Sequence, residues 1–293
     1  MRLVSYEHQQ HTAWGALQDD DRIVDLSHLA PTLRAALAED GLRERLPTLD
    51  LAAELASSGA AALRVADVRL LSPIPEPEKI ICIGVNYANR NAEYKDGSDD
   101  PDYPSVFLRT PDSLTGHEQP LIRPPESHQL DYEGEIVVVI GKGGRRISRE
   151  RAYEHIAGLT IMNEGTLRDW VRHAKFNVTQ GKNFRHSGSI GPWMVSADQF
   201  QAADYEDMRV ITRVNGEERQ NDTTASMMFP LAYIIHYLSI FMPLKPGDVI
   251  ATGTPNGAGA RFDPPRYLKP GDVVEVEVQG VGVLRNGIAD EMA

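Results

Sequence analysis

The chain has one cysteine, Cys82, among 293 residues. A lone thiol cannot close an intramolecular disulfide, and it cannot build a paired-cysteine zinc site. Basic residues are also scarce: 30 Lys and Arg stand against 42 Asp and Glu, a formal net charge of −12. A protein that reads a nucleic-acid backbone needs a basic footprint, so bulk charge argues against that class. It does not argue against small anionic substrates, which a local cation cluster or a metal can hold. No apolar run suits a bilayer, because Phe229–Leu244 is short and broken by Pro230, His236 and Pro243. The opening MRLVSYEHQQHTAWGAL has no apolar signal-like core. A soluble, cytoplasmic protein with no membrane or nucleic-acid partner is therefore expected. Familiar catalytic signatures are missing as well. There is no Walker A or HExxH pattern, and Ser187-Gly-Ser-Ile-Gly191 lacks the first glycine of a nucleophile elbow.

What is present divides the chain in two. Residues 1–70 read as a small N-terminal domain of short strands at Arg2–Tyr6, Thr12–Leu17 and Arg22–Leu26, then helices at Pro31–Glu39 and Asp50–Ala56. Three prolines in Leu71-Ser-Pro-Ile-Pro-Glu-Pro-Glu78 block helix and central strand alike, which makes 71–78 a linker. Residues 79–293 are β-rich. Strands are expected at Lys79–Val85, Ser105–Leu108, Glu135–Ile140, Gly158–Met162, Met208–Val214, Asp248–Thr252 and Asp272–Val278, with buried helices at Arg149–Ile156 and Leu231–Phe241. Without βαβ alternation, the fold class is α+β with a rolled or sandwiched mixed sheet.

The chemistry concentrates in Asp131-Tyr132-Glu133-Gly134-Glu135, which runs into the apolar strand. Residues i and i+2 of a strand share a face, so Glu133 and Glu135 stand side by side. Adjacent carboxylates repel unless a positive charge lies between them or one holds a proton. A hard divalent cation supplies that charge and prefers oxygen ligands. Two solvated glutamates at a strand end would give the same pattern. Glu164 ends a second apolar strand, just before Gly165, and suits a third ligand; it would equally suit the start of a helix. Lys182, in Gln180-Gly181-Lys182-Asn183-Phe184, can bind a carboxylate or an enolate oxygen. Thr252-Gly253-Thr254-Pro255 ends a strand and offers backbone N–H groups to an anion. Cys82 lies inside an apolar strand and reads as packing.

Together these pieces resemble the fumarylacetoacetate hydrolase family. They are Cys82-Ile-Gly-Val-Asn-Tyr87, Pro104-Ser-Val-Phe-Leu108, Leu130-Asp-Tyr-Glu-Gly-Glu135, Asn163-Glu-Gly-Thr-Leu-Arg-Asp169, Gly181-Lys-Asn-Phe184, Gly191-Pro-Trp193, Asn221-Asp-Thr223 and Pro246-Gly-Asp-Val-Ile-Ala-Thr-Gly-Thr-Pro255. The resemblance implies a catalytic mixed β-roll over 79–293 behind the smaller N-terminal domain, usually as a homodimer. It implies Mg²⁺ or Mn²⁺ on Glu133, Glu135 and Glu164, and a contact from Lys182 to the 2-oxo acid end of a small anionic substrate. Arg109, Tyr132 and Thr254 are the expected further substrate contacts.

The sequence departs from the family pattern at three places. Glu164 stands where Asp is usual. Arg109 stands where Lys is usual. Arg90 stands where hydrolytic members carry a His, while Glu93 of that base pair is kept. Arginine is not a base at neutral pH but can clamp a carboxylate. None of His117, His128, His173 and His186 obviously replaces the missing histidine. The leading expectation is metal-dependent hydrolysis of a C–C bond in an acylpyruvate-like 2,4-dioxo acid, with Glu93 as base. The alternative is isomerase, decarboxylase or dehydratase chemistry through a metal-bound enolate, which Arg90 favours.

Overall fold

The structure, a computed structural model, describes residues 1–18, 21–58, 62–88, 101–174 and 177–292. Its centre is a 12-stranded mixed sheet. The longer strands are β1 (Arg2–His8), β2 (His11–Leu17), β3 (Arg22–Asp25), β4 (Ile80–Ile83), β5 (Val106–Arg109), β6 (Gly134–Ile140), β7 (Ile156–Asn163), β8 (Gly188–Ser196), β9 (Arg209–Val214), β10 (Glu217–Thr223), β11 (Val249–Ala251), β12 (Val273–Val278) and β13 (Gly282–Asp290). The large sheet runs β3-β2-β1-β8-β7-β6-β11-β4-β5, with a short strand, Leu63–Arg64, outside β3. A second sheet runs β10-β9-β12-β13 and ends on Leu121–Arg123. Most neighbours are antiparallel, but β11 and β4 run parallel. The fold is thus β-rich α+β with mixed sheets, as expected.

β6 shows why these residues form a strand. Every residue in it is buried. Ile136, Val138 and Ile140 enter one core with Leu238 and Val276, while Val137 and Val139 enter another with Leu3, Trp14, Leu37 and Met194. Both faces are dry, so the run is continuously apolar rather than alternating. The second core bears on the division at 71–78. β1 pairs with β8 of the large sheet, and Leu3, Trp14 and Leu37 share their core with Ile80, Cys82 and Val139. Sheet and core therefore continue across the Pro-rich stretch, and the N-terminal segment buttresses β6 on its Val137 and Val139 face.

The strands expected after residue 79 form with shifts of at most two residues at their ends, and the helix at Leu231–Phe241 forms as read. Arg149–His155 is a 3-10 helix instead of an α-helix. Its buried residues, Ala152 and His155, lie three apart, which matches a three-residue turn. Three of the longer strands were not expected. β8 is rich in Gly and Ser and carries Pro192, which cannot donate to a ladder; the β7–β8 register shifts between Leu159 and Ile161, opposite that proline. β10 reads Glu-Glu-Arg-Gln-Asn-Asp-Thr and is a polar edge strand. β13 alternates burial around Asn286 and two glycines.

Truncating Ile136 to Ala leaves a cavity at the centre of the first core. It is expected to cost about 2–5 kcal/mol, read as a lower urea midpoint with an unchanged slope.

Candidate active site

Register and alternation build the site. β6 and β7 pair with Gly134 opposite Asn163, which brings the residue before one strand beside the residue after the other. The Glu164 N–H donates to the Glu133 carbonyl at 2.7 Å, and the Glu133 N–H donates to Asn163 Oδ1 at 2.9 Å. Glu133, Glu135 and Glu164 then converge, each offering a carboxylate oxygen within 4.8 Å of the others, and all three are buried. At an effective dielectric of about 20, two unit charges that far apart repel by about 3.5 kcal/mol. Three such pairs rival the stability of a whole domain, so the cluster requires positive charge or a proton on one of its acids.

The protein supplies part of it. Lys182 Nζ donates to Glu133 Oε2 at 2.5 Å and to Glu164 Oε2 at 2.8 Å. Burial disfavours the ammonium, but the charges of Glu133 and Glu164 outweigh it and hold its pKa above the usual lysine value. Gly181 makes this reach possible. A Cβ there would meet Val171 N at 2.6 Å and Leu167 O at 2.7 Å, so only glycine lets the turn Thr179–Lys182 lie against the strand Thr166–Leu167. Arg168 is the second cation, and sequence reasoning missed it. Its Nη2 donates to Glu133 Oε1 at 2.6 Å and its Nε to Asp131 Oδ2 at 2.7 Å. Asp131 is itself fixed by the N–H groups of Tyr132, Gly259 and Ala260. Alternation through Asp131, Glu133 and Glu135 was a signal that could have found Asp131.

Glu135 is the least compensated acid. Its Oε2 accepts from the Gly253 N–H at 2.8 Å, which Gly253 can aim because its φ is 104°. Burial, then the charges of Glu164 and Glu133, push the Glu135 carboxyl well above the usual range, against the pull of Lys182. Glu164 Oε1 is buried with no hydrogen-bond partner. An orphaned carboxylate oxygen inside an all-oxygen cluster suits a hard divalent cation such as Mg²⁺ or Mn²⁺. The donor set passes that test, with Glu133, Glu135 and Glu164 as the residues that could hold it.

A cavity of about 770 Å³ opens over the carboxylates and is also lined by Arg168, Lys182, Arg109 and Thr254, with apolar walls from Val85, Phe107, Val171 and Val178. Three expected substrate contacts look different in place. Tyr132 is fully buried in the core on the other face from Glu133, and its hydroxyl donates to Gly257 O at 2.9 Å. Strand alternation turns it away from the cavity. Arg109 borders the cavity, but its guanidinium is engaged by Ser113, Gly165 O and Ser187, so it braces the turn after Glu164. The Thr254 hydroxyl donates to Gly134 O and accepts from Gln220, so it pins the start of β6. Arg90 and Glu93 lie outside the described residues. No histidine lines the cavity among the described residues. Cys82 is fully buried; burial, then the charges of Glu164 and Glu135, push its thiol up, so it stays protonated packing.

This frame matches known proteins. Residues 79–289 match the family described as fumarylacetoacetate (FAA) hydrolase, C-terminal. The chain belongs to the fumarylacetoacetate hydrolase family. Among its relatives, the oxaloacetate tautomerase YisK of Bacillus subtilis (strain 168) is 42% identical over 234 residues, 78% of this chain and 76% of that protein. A mitochondrial oxaloacetate tautomerase of Xenopus laevis is 36% identical over 275 residues, 93% of this chain and 84% of that protein. Among solved structures, a fumarylacetoacetate hydrolase from psychrophilic Exiguobacterium antarcticum superposes with a TM-score of 0.84 at 32% identity, covering 99% of this chain and 100% of that one. A maleylpyruvate hydrolase from Sphingobium sp. SYK-6, in complex with manganese(II) ion and pyruvate, superposes with a TM-score of 0.77 at 26% identity, covering 100% of both chains. Among the described residues, no helix is long and apolar enough to cross a membrane.

Two outcomes follow from the geometry. Glu135→Gln replaces the acid whose ionised form burial, Glu164 and Glu133 disfavour, and keeps the shape. The variant without divalent cation is expected to melt a few degrees higher, since about 1 kcal/mol moves Tm by roughly 2–4 °C at this size, and to lose the Tm rise that Mg²⁺ or Mn²⁺ gives the unaltered chain. Arg109→Met leaves Gly165 O and two serines without their donor. It is expected to cost about 2–4 kcal/mol in denaturant melts. Unchanged stability with a raised KM would instead mark Arg109 as a substrate contact.

Proposed function

We propose that this chain interconverts the keto and enol forms of a small 2-oxo diacid of the oxaloacetate type, in a divalent-cation-dependent reaction. The observation that carries this reading is the convergence of Glu133, Glu135 and Glu164 at the floor of the cavity, with Lys182 Nζ bonded to two of them. The tautomerase names of the relatives support it. A bound Mg²⁺ or Mn²⁺ supplies Lewis acidity toward the substrate's carboxylate and 2-oxo oxygen. Lys182 supplies a cation for the negative charge that gathers on the enolate oxygen. Arg168 holds Glu133 in its ligand rotamer from the anchored Asp131. The walls of Val85, Phe107, Val171 and Val178 limit water around the reacting carbon. Glu93 is the carboxylate the sequence offers for moving the proton at that carbon, and Arg90, three residues earlier in the sequence, is the group it offers as a clamp for the distal carboxylate.

Hydrolysis of an acylpyruvate-like substrate is the second reading. The kept Glu93 and the maleylpyruvate hydrolase neighbour favour it. Arg90 in the base position disfavours it, because tautomerisation needs no deprotonated water.

An oxaloacetate assay that follows enol absorbance separates the readings. The chain with Mg²⁺ is expected to speed relaxation to the keto–enol equilibrium with no change of mass, and EDTA is expected to abolish the effect. Lys182→Ala is expected to lower the rate about a hundredfold or more. Release of pyruvate from acylpyruvates at a comparable rate, with no effect on the enol, would contradict the proposal.

A further inference from the structure

The Lys182 ammonium lies 2.5 Å from Glu133 Oε2 and 2.8 Å from Glu164 Oε2. Both contacts fall on carboxylates of the three-acid cluster, and the one to Glu164 has the length of a charge-assisted bond. Both oxygens of Glu133 are taken, Oε1 by Arg168 and Oε2 by Lys182, so a divalent cation that binds Glu133 is set against one of these two cations and repelled by it. One of the two resident cations must give way, and the structure distinguishes them. Arg168 is tied through Nε to Asp131, which three backbone N–H groups hold in place. Lys182 has no such tether among the described residues. Its side chain has a second seat, because Nζ already stands 5.2 Å from the centroid of the Phe107 ring, a wall of the cavity. An aromatic face at that distance attracts an ammonium.

We infer that Lys182 is a built-in competitor of the divalent cation: it closes the carboxylate cluster by itself, and it turns toward Phe107 and the cavity when the cation binds. This rests on the metal-dependent reading above. Lys182 thereby sets an order. Its positive charge is released from Glu133 and Glu164 toward a substrate anion only after loading, so the anion meets the divalent cation and the freed ammonium together. The competition also weakens cation binding relative to a site without the lysine, which makes loading reversible.

The test is a Mn²⁺ titration of the full chain and of Lys182→Met, read by calorimetry or by the EPR signal of free Mn²⁺. The inference expects Lys182→Met to bind Mn²⁺ at least tenfold more tightly. An equal or weaker affinity in a variant with native circular dichroism overturns it. If Lys182→Met does not fold, the unaltered chain decides. Acylation of Lys182 by acetic anhydride, followed by peptide mass spectrometry, is expected to speed up severalfold when Mg²⁺ is added; an unchanged or slower rate overturns the inference. If neither form binds Mn²⁺, the metal-dependent function and this inference fall together. If the unaltered chain binds and Lys182→Met gains nothing, only the inference falls.

Discussion

The site is built around one constraint: three buried glutamates each place a carboxylate oxygen within 4.8 Å of the others. Left alone they would repel with an energy comparable to the net stability of the chain. Every nearby feature answers that repulsion. The ammonium of Lys182 and the guanidinium of Arg168 bring positive charge to Glu133, and the Gly253 N–H bonds Glu135. The bare Glu164 Oε1 is where compensation within the protein stops. A site that its own side chains leave partly uncompensated is suited to take up a cation and an anionic substrate together.

The scaffold keeps this arrangement from relaxing. β6 and β7 share a long antiparallel ladder, and a slip of one residue would turn the glutamates to the opposite face. The N-terminal strands matter here although they carry no site residue. Leu3, Trp14 and Leu37 pack behind Val137 and Val139, on the face that bears Glu133 and Glu135. Arg109 and Thr254 act in the same sense, the first on the turn after Glu164 and the second on the start of β6. The acids thus lie in, or directly at the ends of, two paired strands, whereas Lys182 comes from the four-residue helical turn Thr179–Lys182.

Much of the site was legible because it rests on short-range periodicity. The period of two pairs Glu133 with Glu135, and the end of an apolar strand marks Glu164. Alternation also implies that Tyr132 faces away and Asp131 faces with the glutamates, whereas residue type alone marks Tyr132 as a substrate contact. Arg109 and Thr254 look like anion-binding groups in sequence. Their partners, Ser113, Gly165, Ser187 and Gln220, are contacts that only the fold determines. β8 escaped notice because Gly and Pro are poor strand formers, and only its place between β1 and β7 makes it a strand. Arg168 was visible inside a quoted motif, yet its role depends on Asp131, a residue 37 positions away.

The central claim is that one divalent cation binds among these three acids. An anomalous difference map at the manganese absorption edge, from crystals grown with Mn²⁺, tests it most directly. The account requires one strong peak within coordination distance of an oxygen from each of Glu133, Glu135 and Glu164. A map with no peak there, at a manganese concentration that saturates surface sites, would contradict it.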